Sequence, residues 1–468
     1  MAALNSSLHF FRALFRRGNR QPSTRHQPTR GRSSPTLEVL EDRTLLNFAP
    51  VLSVPSGPFS VVKTALFSLQ VSATDSDKGQ ILTFSLSNAP AGAAITSTQG
   101  TLAGGSTATG LLTWTPTEDQ GPASYTFTVT VTDNGKPVKS ASQQITVTTL
   151  AAGLVGNNLL IVGTSGDDTA SIVAPTNANV ISVTVNGTTT GPFTVPSGGQ
   201  IQVKMFAGND TFTTNESPVL VGPAAVVDEG TGSNTLIING TSGPDAFTIT
   251  DTKVGLGGAG DVNYTNVQSL TVNALGGNDT VAMTGINAGT ATTIDGGADQ
   301  DSFASNFGQG YAGNLRLASF ESASMQVTGD FNGSLTVNDP GVLQLSVTGN
   351  VTATSAITAT NISSLTLGTL SGQVTAVGGS IVGVNITTIA SSGSLQATEA
   401  SGTPGSGVIS NATIGTNSGS ISAGSISGMT VGTNAGSILA AGQGTATGVS
   451  IGTNTTTGSF TKIGRAHV

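Results

Sequence analysis

Cysteine is absent from the 468 residues. No disulfide can staple the fold, and no thiolate can act as nucleophile or metal ligand. Charged residues make up only 9% of the chain and aromatics 4%, with a single Trp. Large helices would need longer apolar stripes and more Leu, Glu and Lys. No run of about 18 apolar residues occurs, so no membrane-spanning helix is visible. The three histidines, His9, His26 and His467, lie within the first 26 or the last two residues. Between 331 and 462 the charged residues are Asp339, Glu399 and Lys462 alone. Clustered carboxylates, or a base beside a cation, are too sparse there for hydrolase or lyase chemistry. No G-x-S-x-G elbow has a histidine to serve it. Catalysis is not expected.

Glycine is plentiful at 63 residues, Ser and Thr are abundant, and Val, Ile and Leu fall singly at alternating positions. That pattern is β-rich with many turns. Charge is divided along the chain. The first 50 residues carry eight Arg against three acids, and the remainder nine Lys or Arg against 22 acids. A basic start on an acidic body reads as a separate leader. No folded basic module with aromatics follows it, so a nucleic-acid partner is not expected.

A short phrase occurs twice. Phe206-Ala207-Gly208-Asn209-Asp210-Thr211-Phe212 returns as Leu275-Gly276-Gly277-Asn278-Asp279-Thr280-Val281. Upstream companions are Gly163-Thr164-Ser165-Gly166-Asp167-Asp168 and Gly240-Thr241-Ser242-Gly243-Pro244-Asp245. Downstream ones are Asp228 to Asn234 and Asp295 to Asp301, so about 159–303 reads as one unit duplicated. Glycine and Asn/Asp suit a tight turn, and Thr with Val or Phe starts the next strand. The phrase resembles the glycine- and aspartate-rich nonapeptide of RTX proteins, where stacked turns hold calcium in a parallel β-roll. The resemblance implies calcium at Asp210, Asp279, Asp299 and Asp301. The copies are isolated rather than consecutive, and Asn234 stands at one ligand position. Turn chemistry without a metal is the alternative.

Residues 1–46 read as a basic, disordered leader carrying an export segment. Leu37-Glu38-Val39-Leu40-Glu41-Asp42-Arg43-Thr44-Leu45-Leu46 resembles the LEPR-XLL segment of large bacterial surface and secreted proteins. The resemblance implies export. Residues 47–149 read as one β-sandwich, with alternating runs at 65–73, 81–86, 111–115, 125–132 and 143–148 and turn clusters between them. Its phrases, among them Thr113-Trp114-Thr115-Pro116 and Thr130-Val131-Thr132-Asp133-Asn134-Gly135, resemble cadherin-like and Ig-like repeats of bacterial surface proteins. That resemblance implies junctional calcium on Asp75, Asp77 and Asp133. It lacks a C-terminal acidic linker, so the acids could simply shape a solvated loop. Trp114 belongs in the core.

Residues 150–325 form the duplicated β-repeat region. In 326–462 Ile414-Gly415-Thr416-Asn417, Val431-Gly432-Thr433-Asn434 and Ile451-Gly452-Thr453-Asn454 recur at a spacing near 20, one coil of a parallel β-solenoid. Residues 463–468 break the pattern and match a translated sequencing adapter, so the chain is expected to continue beyond them. The reading is all-β: an immunoglobulin/cadherin-like sandwich followed by β-repeat and parallel β-solenoid regions. The expected role is a non-enzymatic structural or adhesion protein, extracellular or on the cell surface, with calcium as an open question. Expected partners are other surface proteins, matrix or glycans, with membrane association through a region beyond the end. The alternative is a carbohydrate-binding or polysaccharide-processing β-helix.

Overall fold

The computed structural model describes residues 46–173, 180–215, 224–257, 260–399, 406–441 and 445–462. The leader, all but the last residue of the export segment and the terminal six residues lie outside them. Asn47–Val468 form one compact unit. Every element in it is a β-strand, and no helix occurs among the described residues.

The first module is a sandwich of two four-stranded sheets. One sheet orders Val51–Ser53, Phe67–Asp75, Gly105–Trp114 and Ala94–Leu102; the other orders Phe59–Val62, Ser140–Leu150, Ala123–Thr132 and Thr83–Ser87. Alternation drives it: Phe67, Val71 and Ala73 point inward from one strand, Phe127, Val129 and Val131 from another. Burying each of these Phe and Val side chains stabilises by about 1.5–3 kcal/mol against exposure. Trp114 is in this core, where its Nε1 donates to Ala91 O at 3.2 Å and its ring meets Tyr125 edge-on at 5.0 Å. Three strands, Val51–Ser53, Phe59–Val62 and Ala94–Leu102, lie outside the alternating runs, and the last is the longest of them. Apart from half-buried Ile95, which packs on the core, it is exposed, and the Ser, Thr and Gln along it are set in place by pairing with Gly105–Trp114.

From Asn158 onward, strands pair in parallel with the strand one coil further along. Three stacks result. The first holds Asn158–Val162, Ile201–Lys204, Ala225–Asp228 and Val262–Thr265. The second starts at Thr169–Val173, runs through Thr211–Asn215, Thr235–Asn239, Ser269–Asn273 and Ala291–Asp295, and reaches Ser459–Lys462. The third starts at Ala246–Ile249, runs through Thr280–Met283, Ser302–Phe307 and Ser322–Val327, and reaches Ser450–Asn454. A parallel β-solenoid therefore makes up the second part of the chain. The recurring Ile-Gly-Thr-Asn phrases are neighbours in it, with Ile414 across from Val431 and Val431 across from Ile451. One hydrophobic core runs unbroken from Ala151 to Ala440, each inward Ile, Val or Leu resting on the next coil. Asn417, Asn434 and Asn454 form an amide column, each Nδ2 donating to the next Oδ1 at 2.8 Å.

The sandwich packs on the first coil. Val62, Leu160 and Val162 share a small core with Ala65 and Phe206. Lys63 is fully buried beside it and donates from Nζ to Gly163 O at 2.6 Å. Asp119 accepts from the Ser165 amide and hydroxyl at 2.9 and 2.8 Å.

Candidate functional site

The duplicated phrases become corners of the solenoid. The copies do not stack on each other. Turns at 163–168, 205–210 and 229–234 connect the first stack to the second, and turns at 240–245, 274–279 and 296–301 connect the second to the third. The sequence duplication is thus two parallel columns of turns on two corners. Each later turn bends through positive φ four residues before its acid or amide, at Phe206 (75°), Gly230 (74°), Leu275 (80°) and Gly297 (96°). Successive turns nest closely there: a Cβ on Gly297 would lie 2.1 Å from Leu275 O, so glycine is required.

Along the first column the Asp168 amide donates to Asp210 Oδ1 at 2.8 Å. The Asp210 amide donates to Asn234 Oδ1 at 3.0 Å, and the Asn234 amide to Gln268 Oε1 at 2.7 Å. Along the second, Asp245 donates to Asp279 Oδ1 at 2.7 Å, Asp279 to Asp301 Oδ1 at 2.8 Å, and Asp301 to Glu321 Oε2 at 2.6 Å. Each side chain thereby satisfies a backbone donor that the corner takes out of the strand ladder. The first member of each column also closes its own turn: Asp168 Oδ2 accepts from Thr164, and Asp245 Oδ2 from the Thr241 amide at 2.6 Å.

The inner members are different. Asp210, Asp279 and Asp301 are each no more than 2% exposed, and Oδ2 of all three lacks a donor. Glu229, fully buried in the turn between Asp210 and Asn234, lacks a donor on both carboxyl oxygens. Burial pushes Glu229 up to about 8, with Asp210 and Asp228 adding to it. Burial pushes Asp279 up to about 6 against the lowering effect of the Asp245 amide, with Asp301, Asp245 and Asp299 adding. Asp210 and Asp301 are raised by burial too, each offset by the amide it accepts.

Asp299 stands apart from the columns. It is exposed with φ of 84°, and its Oδ2 accepts from the Gly277 amide at 3.2 Å. Asp75, Asp77 and Asp133 do meet, at one pole of the sandwich. The Asp77 amide donates to Asp75 Oδ1 at 2.8 Å, the Phe48 amide to Asp77 Oδ2 at 2.7 Å, and Asn47 Nδ2 to Asp133 Oδ2 at 3.0 Å. Asp75 Oδ2 and Gln80 Oε1 are buried there without donors. Burial raises Asp75, against the lowering Asp77 amide and with the Asp77 and Asp133 charges adding. Among the described residues, no group of three or more His, Asp or Glu side chains is arranged to hold a metal ion. Reading the sequence singled out the aspartates of the phrases but passed over Glu229, Glu321 and Gln268. Only their place beside a corner residue of the adjoining coil marks them: Glu229 near Asp210, Glu321 on the Asp301 amide and Gln268 on the Asn234 amide.

Residues 49–149 match the family model described as "Putative Ig domain". No curated protein matches the chain. Among solved structures it is similar to that of mouse clustered PcdhgC3 EC1-3, with 21% identity over 29% of this chain, 44% of that one, and a TM-score of 0.16. The chain therefore spans less than half of that structure, and so low a score carries no weight of its own. The Ig-like module rests on the family match together with the two four-stranded sheets.

Proposed function

We propose that this chain is part of an exported, non-enzymatic surface or extracellular protein, with the solenoid as a stalk and the Ig-like module seated on its first coil. The observation that carries the reading is an Ig-like domain joined through a buried contact to a long β-solenoid. A repeat stack of this kind extends by adding coils, so it makes length without needing a larger core. The LEPR-XLL resemblance supports export, and it and the RTX resemblance belong to this proposal. Its partners would be other surface proteins, matrix or glycans. Surface proteolysis of intact source cells, probed with an antibody to the solenoid, tests it. Protection of the chain until the cells are lysed sinks it.

A carbohydrate-binding role draws on one feature. Thr366, Asn385, Thr413, Thr430 and Ser450 stand in register on the outside of successive coils, all exposed and uncharged. A glycan array on the whole chain tests that reading.

Calcium enters the proposal at the sandwich pole. Asp75 Oδ2 and Gln80 Oε1 are oxygens in want of a cation or a proton. Calcium takes about six to eight oxygens, so the pole would supply a half-site completed by water or an adjoining module. Calcium on Asp210, Asp279, Asp299 and Asp301 rests on the sequence resemblance: the Oδ2 of Asp210, Asp279 and Asp301 is buried without a donor, as at Asp75, but these acids lie one to a turn, and exposed Asp299 spends Oδ2 on the Gly277 amide. At ten times its Kd, calcium should stabilise the sandwich by about 1.4 kcal/mol. Thermal melts in millimolar calcium, with magnesium as control, check this. Equal melting points in the two end the calcium proposal.

A further inference from the structure

The corner columns contain their own control, Asn234. Its Oδ1 accepts the Asp210 amide at 3.0 Å, as the aspartate oxygens do at the other positions. Its second atom is a nitrogen, and it donates to Glu229 O at 3.0 Å and Asn266 O at 3.1 Å. At this point of the corner, then, the surroundings are backbone carbonyls that call for a donor. Asp210, Asp279 and Asp301 present an oxygen there instead, buried and without a donor. At the last of them both kinds of oxygen border the space that a glycine leaves open: a Cβ on Gly296 would lie 2.7 Å from Asp301 Oδ2 and 2.4 Å from Ser319 O. A buried acceptor without a donor is costly, and a proton on it turns it into a donor.

We infer that the inner acids of the corner columns are held as neutral carboxylic acids in the folded protein, each Oδ2 donating its proton to a turn carbonyl as the Asn234 amide does. The solenoid is then a proton-stabilised fold that weakens in alkaline medium. The groups facing these acids are themselves acidic. Asp210 faces Asp168, Asp167 and Glu229; Asp279 faces Asp245, Asp301 and Asp299; Asp301 faces Glu321, Asp299 and Asp295; and Glu229 faces Asp210 and Asp228. The cations nearby are Lys204, across from exposed Asp228, and Lys63, on the Asp168 side. Neither is among the charges acting on the inner oxygens.

The sign comes from proton counting. An unfolded Asp or Glu loses its proton near 3.8 or 4.5, whereas folded Asp279 and Glu229 keep theirs to about 6 and about 8. Between those limits the folded state binds more protons, so stability falls as pH rises. The contribution is complete below the ordinary carboxyl range and is lost as pH passes through about 6 and then about 8. Lys63, lowered by burial, acts with the opposite sign toward the alkaline end and can only shallow the fall.

The test uses the full chain in a chelator, melted at steps from pH 5 to pH 8. The melting temperature should drop steadily across that range. Asp279→Asn supplies a donor at every pH, so it should melt several degrees above wild type at pH 8 and show a shallower slope. Asp299→Asn removes one of the charges that raise Asp279 and Asp301 but supplies no donor to either, so it should shallow the slope less than Asp279→Asn does. Infrared spectra of wild type at pH 5, where both Asp279 and Glu229 keep their protons in the fold, should show a carboxylic-acid carbonyl band that largely vanishes on unfolding; this readout stands even if a variant does not fold. A flat wild-type profile, carboxylate bands alone, or an Asp279→Asn variant that melts below wild type at pH 8 overturns the inference. So does millimolar calcium that restores wild type at pH 8 but not Asp279→Asn, since that would make the carboxylate a metal ligand. None of these outcomes bears on whether the protein is exported, so this inference and the functional proposal fail separately.

Discussion

At the scale of single residues, position in the stack decides what an ordinary residue does. Gly110 lies mid-strand in the sandwich, where a Cβ would sit 2.8 Å from Val71 Cγ2 and 3.0 Å from the Phe84 ring. It allows the two sheets to close. Gly110→Ala should therefore cost about 1–3 kcal/mol through overpacking. Denaturant unfolding followed by Trp114 fluorescence would show it, and an unchanged midpoint would mean the sheets have slack. The corner acids show the same dependence. Asp168 and Asp210 have the same side chain, but Asp168 Oδ2 accepts from Thr164 while Asp210 Oδ2 has no donor. Their chemistry differs because their turns differ.

At the scale of elements, the join between sandwich and solenoid sets one buried lysine beside a small apolar core. Lys63 Nζ reaches Gly163 O; burial lowers its pKa, and the charges of Asp168, Asp119 and Glu118 oppose that shift. Lys63→Met keeps the stem and removes the donor. Gly163 O is then left without its side-chain partner and the three acids without their counter-charge. A loss of about 1–3 kcal/mol is expected, the cost of leaving a buried polar group unmet. The loss should be local: proteolysis at the join should rise while the far coils keep their protection from hydrogen exchange. Uniform loss of protection would mean the join and the stack unfold together. The amide column Asn417–Asn434–Asn454 is the complementary case, since it lies within the stack and has no part in the join.

At the scale of the whole molecule, the sandwich has its own core, separate from the one that runs along the solenoid. A fragment of 47–149 should therefore unfold cooperatively with a change in Trp114 fluorescence. It should be less stable than the same module in the full chain, because excision exposes Val62 and Lys63. A fragment with exposed Trp114 and no cooperative transition would show that the first coil completes the sandwich.

Much of this was legible in the sequence, for a physical reason. Period-two alternation is local, so it marks Phe67–Asp75 or Ala123–Thr132 wherever they end up in space. The recurrence of Ile-Gly-Thr-Asn is nearly as local, because neighbouring coils there are 17 and 20 residues apart. The composition likewise determined an all-β chain with few charges and no disulfide. Tertiary structure alone decided which turns share a corner. Asp168 meets Asp210 across 42 residues, Asp210 meets Asn234 across 24, and Asp279 meets Asp301 across 22. Hairpins inserted between coils make those intervals irregular, so no fixed period exposes them. The burial of Glu229 and Lys63 was also beyond the sequence. A charged side chain reads as solvated until packing takes the water away, and only the assembled coils do that.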